Sequence, residues 1–190
     1  MKKTPWFLMT MICVYACDKP VPSNLPPMNY SDLTGQQISF GGRADVDLDG
    51  DSIIDVRFST LLVGDPLAQI DKEKYFAESR GGCLLPLDTN DNAPRMNLGD
   101  RILAADFSGH SWLSAASVEL VQKVKSAPGS HHWEGKWAGS NHNYLPVQVR
   151  KNGQPYNGWI ELSVDSMDEK IILYRAGISK IAGREVEAGF

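Results

Sequence analysis

The stretch "YLPVQVRKNGQPYNGWIELSV", residues 144–164, constrains the fold more than any other. Two runs of alternating apolar and polar residues flank Asn152-Gly153, and both of those residues tolerate the positive φ of a tight hairpin turn. "DSMDEK" then reads as a polar turn and "IILYRAGI" as a third strand, which closes a C-terminal meander. "REVEAGF" offers a further edge strand. Upstream, "DVRFSTLL" places Val56, Phe58 and Thr60 on one face and Asp55, Arg57 and Ser59 on the other. "SVELVQKV" has the same period through Val118, Leu120, Gln122 and Val124, but Glu119, Leu120, Gln122 and Lys123 also tolerate a helix. "DKEKYFAES" at 71–79 is equally ambiguous. Short strands with polar turns between them predict a mainly β domain over 36–190: a single antiparallel β-sandwich or a partly open barrel.

The chain opens with Lys2 and Lys3 and an apolar run from Trp6 to Ala16, too short to span a bilayer, which needs about 20 residues. It fits the apolar region of a secretory signal over 1–16. The run ends Val14-Tyr15-Ala16-Cys17, which resembles the lipobox of bacterial lipoproteins, with Tyr15 an unusual choice at its position. The resemblance implies cleavage before Cys17, acyl chains on Cys17, and a protein held on a membrane outside the cytoplasm, in the bacterial cell envelope. The other reading is an ordinary secreted protein. Pro20, Pro22, Pro26 and Pro27 favour extended backbone, so residues 17–35 read as a tether.

Loss of the signal removes two lysines and no acids, leaving 17 basic side chains of the original 19 against 23 acids, a net charge of −6. That balance argues against nucleic acid as a partner. Cys83 would remain as the sole unmodified thiol of the mature chain, so no internal disulfide forms, and its surroundings suggest a small core residue.

"DVDLDGDSIID", residues 45–55, sets five aspartates in eleven positions. Counted from Asp45, the spacing mimics an EF-hand loop, but the twelfth position is Val56 where a bidentate Glu is required. Counted from Asp47, it resembles the short "DxDxDGxxD" calcium loops between strands of bacterial surface domains. This register implies Asp47, Asp49, Asp51 and Asp55 as carboxylate ligands and the Ile53 carbonyl as another. Ser52 stands where that motif has Gly. Oxygen-only donors favour a hard cation of flexible geometry, calcium rather than zinc. The alternative is a solvated acidic turn. "DTNDNAP" from Asp88 is half of such a site, and Asp88, Asn90 and Asp91 read better as a plain turn.

"GSHHWEGKWAGSNHNY" carries His131, His132 and His142 without a zinc-ligand spacing. Its Trp133, Trp137 and Tyr144 could form a stacking platform for a sugar, or could fill the core. No nucleophile elbow or phosphate loop occurs. From Trp137 through Asn152-Gly153 and Gly158-Trp159-Ile160 to Ala188-Gly189, the last third resembles a block near the end of secreted bacterial proteins of unassigned activity. Those typically carry Asp-Tyr-Ala where this chain has Tyr174-Arg175-Ala176. The resemblance implies an extracytoplasmic β-domain and no catalytic residue.

Three functions fit. The first is a lipid-anchored, calcium-stabilised surface module with an envelope protein as partner. The second is a glycan-binding accessory protein using Trp133, Trp137 and Tyr144. The third is a hydrolase, which would need a pocket joining Asp106, His110 or His142 to a second carboxylate.

Overall fold

The computed structural model describes residues 25–114, 117–126 and 129–190. The expected signal segment and Cys17 lie outside them. Fourteen strands and no helix are found among the described residues. They are β1 (Met28–Asp32), β2 (Gln37–Ser39), β3 (Ala44–Val46), β4 (Val56–Asp65), β5 (Ile70–Ser79), β6 (Cys83–Leu87) and β7 (Arg101–Ile102). After these come β8 (Ser111–Leu113), β9 (Val118–Ser126), β10 (Ser130–Glu134), β11 (Asn143–Lys151), β12 (Gln154–Asp165), β13 (Lys170–Ser179) and β14 (Val186–Glu187). All pairings are antiparallel, and no sheet closes into a barrel.

One sheet runs β1-β13-β12-β11-β6-β8, with β2 also on β13; the second runs β10-β9-β5-β4-β3. The expected meander is β11-β12-β13, and its first turn holds Asn152 and Gly153 at φ 51° and 75°. The two sheets share one apolar core, to which Val56, Phe58, Tyr75 and Leu120 contribute from one side and Leu85, Leu145, Val147, Ile160 and Leu162 from the other. Both ambiguous segments are strands: 71–79 lies in β5, between β4 and β9, and 118–126 is β9. Their helix-tolerant residues are overridden by ladder pairing on both edges of β5 and by burial of Tyr75, Ala77, Val118 and Leu120.

The larger sheet is covered on its other face too. A small β7–β14 pair and the loops around it lay Met96, Ile102, Phe107, Trp112 and Val186 over Tyr144 and Trp159. Gln148 and Asn157 pin that cover: Gln148 Nε2 donates to Ala104 O and to Asn157 Oδ1, and Asn157 Nδ2 donates to Arg184 O. Doubly covered strands explain the unbroken apolar run of β6 and the buried length of β12.

The tether boundary is corrected by β1, which pairs along its whole length with β13, and by Leu33, which is buried. The run of prolines ends at Pro27 and none falls within Met28–Asp32, so every residue of β1 has an N–H for the ladder.

Candidate metal centre

The loop from Val46 to Asp55 joins β3 to β4. It is closed at its neck by the Asp55 N–H donating to Val46 O and plugged into the core by buried Leu48. The β5–β6 turn crosses beside it at Gly81 (φ 52°). A side chain on Gly81 would meet Ile54 O at 2.7 Å, so only a bare backbone passes. The end of β11 brings Lys151 in from the far side.

The five aspartates are handled separately. Asp45 is in β3, paired across the ladder with Arg57, whose Nε and Nη2 donate to it at 2.6 and 3.1 Å. That fork holds the Asp45 carboxyl below the usual range. Its commitment to Arg57 disposes of the EF-hand register. Asp47 accepts from the backbone N–H groups of Asp49, Gly50 and Ser52 at 3.2, 2.7 and 2.8 Å. Burial alone would raise its pKa, but those backbone donors together lower it. Asp49 accepts from Asp51 N, and its buried Oδ2 meets the Lys151 ammonium. Asp51 is exposed and turned back on the loop, accepting from Ile53 N at 2.8 Å. Asp55 is 2% exposed and accepts from Leu48 N at 2.8 Å. Burial first, then the charges of Asp49, Asp47 and Asp51, push its pKa up to about 6.

Three of the acids converge: one oxygen from each of Asp47, Asp49 and Asp55 lies within 4.8 Å of the other two. Three oxygens this close need only a small inward movement to share one cation at about 2.3–2.6 Å. The cluster can hold a metal ion, and its donors are hard oxygens. Asp51 is not brought into it. Ile53 shows a half-exposed side chain, with its N–H on Asp51. Ser52 sits at φ 71°, a left-handed conformation that Gly adopts at least cost. Sequence spacing pointed to the acids; nothing in it pointed to Lys151, which lies some hundred residues downstream.

The aromatic platform is not formed. Trp137 is fully buried, with its Nε1 donating to Ala93 O, and Tyr144 is buried edge-on against Trp159 at 5.3 Å. Trp133 is half-buried and lies against Tyr75. The cover over the larger sheet takes Tyr144 and the shared core takes Trp137, so of the three expected rings only Trp133 keeps a partly open face. His131 and His132 are exposed on β10. Asp88 is a turn, accepting from the N–H groups of Asn90 and Asn92. Asp106 accepts from Ser111 Oγ and Trp112 N, and His110 Nδ1 lies 2.9 Å from Ser108 O, all local turn contacts.

His142 does find a carboxylate. Its Nδ1 lies 2.7 Å from Glu161 Oε1, while Arg175 Nε donates to Glu161 Oε2 at 2.7 Å. A β-bulge in β13 turns both Tyr174 and Arg175 outward, and the Tyr174 ring stacks on His142 at 4.0 Å. Comparison with protein-family models, curated proteins and solved structures found no match to this chain.

Proposed function

We propose that this protein is an extracytoplasmic β-domain, anchored to a membrane through acyl chains on Cys17, whose β3–β4 loop holds a structural calcium ion. The observation that supports the ion is the convergence of Asp47, Asp49 and Asp55 within 4.8 Å, with Asp55 nearly inaccessible to water. A buried carboxylate facing two others is costly unless a cation or a proton joins it. Calcium suits the all-oxygen set and its loose loop geometry. Asp51 and the Ile53 carbonyl would complete coordination after a small loop rearrangement. The ion would tie the loop to the sandwich end and take no part in chemistry. Presented this way, the domain would serve as a surface module toward an envelope protein or a glycan.

The test is a thermal melt with calcium and with chelator. At about 1 mM calcium and a dissociation constant near 10⁻⁴ M, linkage adds roughly 1.4 kcal/mol, a rise of a few degrees in Tm. Asp49→Asn should abolish the rise. Asp51→Asn reports whether the fourth acid joins. Indifference of Tm to calcium and chelator would overturn the site. Fatty-acid labelling lost in Cys17→Ser tests the anchor.

A second reading has one observation in its favour. Glu161 and Arg175 line a cleft of about 460 Å³ with Tyr30, Asp32 and Tyr174, and His142 is held on Glu161 behind it. An imidazole held at Nδ1 by a buried carboxylate leaves Nε2 free to take a proton, as a hydrolase would require. Hydrolysis by the purified protein, lost in His142→Ala, would favour this reading.

A further inference from the structure

The described chain enters the fold at Leu25, on the wall of an open cleft of about 880 Å³. Its other apolar walls are Met28, Tyr30, Leu98 and Phe190, with Arg175 on the rim. Three of these side chains are far from buried: Tyr30 is 58% exposed, Leu98 60% and Phe190 47%. The fold fixes them there. Trp159 Nε1 donates to Phe190 O and Arg175 Nη2 donates to Gly189 O, so the backbone is held down while the Phe190 ring faces out. Leu98 lies so close over Gly189 (φ 87°) that a side chain there would meet Leu98 Cδ1 at 2.4 Å. Tyr30 leans on Trp159 with ring centroids 6.1 Å apart, in the space left by Gly177.

A cluster of exposed rings and leucine in one place marks an interaction surface. Its position says what it meets. Leu25 lies eight residue steps after Cys17, a reach of at most about 28 Å when fully extended. An acyl anchor on Cys17 therefore holds this face within a short tether of the lipid. Lys180 is exposed just beyond the end of β13, its N–H donating to O of Pro27, which lines the cleft, and adds a second cation near this end of the sheet. Tyrosine, leucine and phenylalanine rimmed by Lys and Arg suit the boundary between headgroups and acyl chains.

We infer that the face made by Tyr30, Leu98 and Phe190 rests on the phospholipid bilayer that carries the anchor, with these side chains entering the interfacial layer. The inference relies on the Cys17 anchor proposed above. It fixes the orientation of the domain. The β12–β13 hairpin tip, with Met167, then points away from the membrane, about 30 Å farther along β13.

The test reads orientation separately from anchoring. Leu98→Cys and Met167→Cys are labelled with an environment-sensitive thiol dye; both sites are open, and the natural Cys83 is buried. The full acylated protein is reconstituted in phosphatidylethanolamine–phosphatidylglycerol vesicles. A blue shift at Leu98 with quenching by nitroxide-bearing lipid, and neither effect at Met167, is the expected result. Both probes in water, or both quenched alike, overturns the docked face even if the protein sediments with vesicles. Phe190→Cys provides a second probe on the same face. If the chain proves not to be acylated, the anchor fails by that measurement alone. Vesicles added to the unanchored protein then decide the face by the same shift, and no shift at Leu98 discards it.

Discussion

Lys151 places an ammonium against the buried oxygen of Asp49, one of the three acids that converge in the β3–β4 loop. It repels an incoming cation whether it stays or is displaced. Lys151→Met should therefore tighten calcium binding by about threefold to tenfold in calorimetric titration, equivalent to roughly 1 kcal/mol for a partly exposed pair. The same change should lower the Tm of the chelator-treated protein, because Asp49 then faces its neighbours without a counter-charge. Asp55 gives a pH signature. Its folded pKa, about 6, stands above the ordinary value of 3.8. Its favourable contribution is thus full below the unfolded pKa and is lost as pH rises through about 6. The loss is on the order of 2–3 kcal/mol for a group this buried. Asp45, Asp47 and Asp88 are shifted down and act only at lower pH, where acid removes their stabilisation. Ion-free protein should accordingly be less stable at pH 7.5 than at pH 5 by this group. Asp55→Asn, which imitates the protonated acid, should flatten that slope while abolishing the calcium response. Denaturant melts in chelator at the two pH values check the sign. Ser52→Gly should raise stability by about 0.5–1 kcal/mol by relieving the left-handed backbone.

Among the elements, β12 carries the tightest constraint. A side chain on Gly158 would meet Gly177 O at 2.3 Å in the adjoining strand β13. Gly158→Ala should cost about 2–4 kcal/mol in chemical denaturation, since backbone must move to admit it. The hairpin that begins this strand was legible in Asn152-Gly153 and its alternating flanks, because the turn chemistry and the period agree. In β5 and β9 they conflict. Glu73 is buried where the pattern calls for an apolar residue and Lys123 is buried although the period puts it on the polar face, and they are tolerated because Lys125 and Glu169 reach them. No local rule announces such a partner. The same holds for the metal cluster. Asp47, Asp49 and Asp55 were readable from spacing alone, but the outward turn of Asp51 follows from its bond to Ile53 N, and Lys151 arrives from another hairpin. The aromatic segment left a platform and a core role both open for a related reason: the layer that buries Tyr144 is assembled only from residues 96–112 and 186–188.

At the scale of the whole molecule, β1 decides where the domain begins. It covers the edge of β13 from Arg175 to Ser179, while β2 covers only Lys170 to Ile172. Deleting residues 1–35 would therefore strip five paired residues and buried Leu33 from the larger sheet. It would also uncover Trp159, against which Tyr30 leans, and leave the second half of β13 as an open edge. Burial of Leu33 alone is worth about 2 kcal/mol, and the lost ladder adds to it. An uncovered edge next to apolar surface is a template for pairing with another chain. A protein of residues 36–190 should thus melt at least several degrees below one of residues 25–190 and should associate at micromolar concentration in sedimentation velocity. The longer form keeps β1 and should stay monomeric away from lipid. Equal melting temperatures for the two would show that β1 is an ornament on a domain complete without it, and the boundary would return to residue 36.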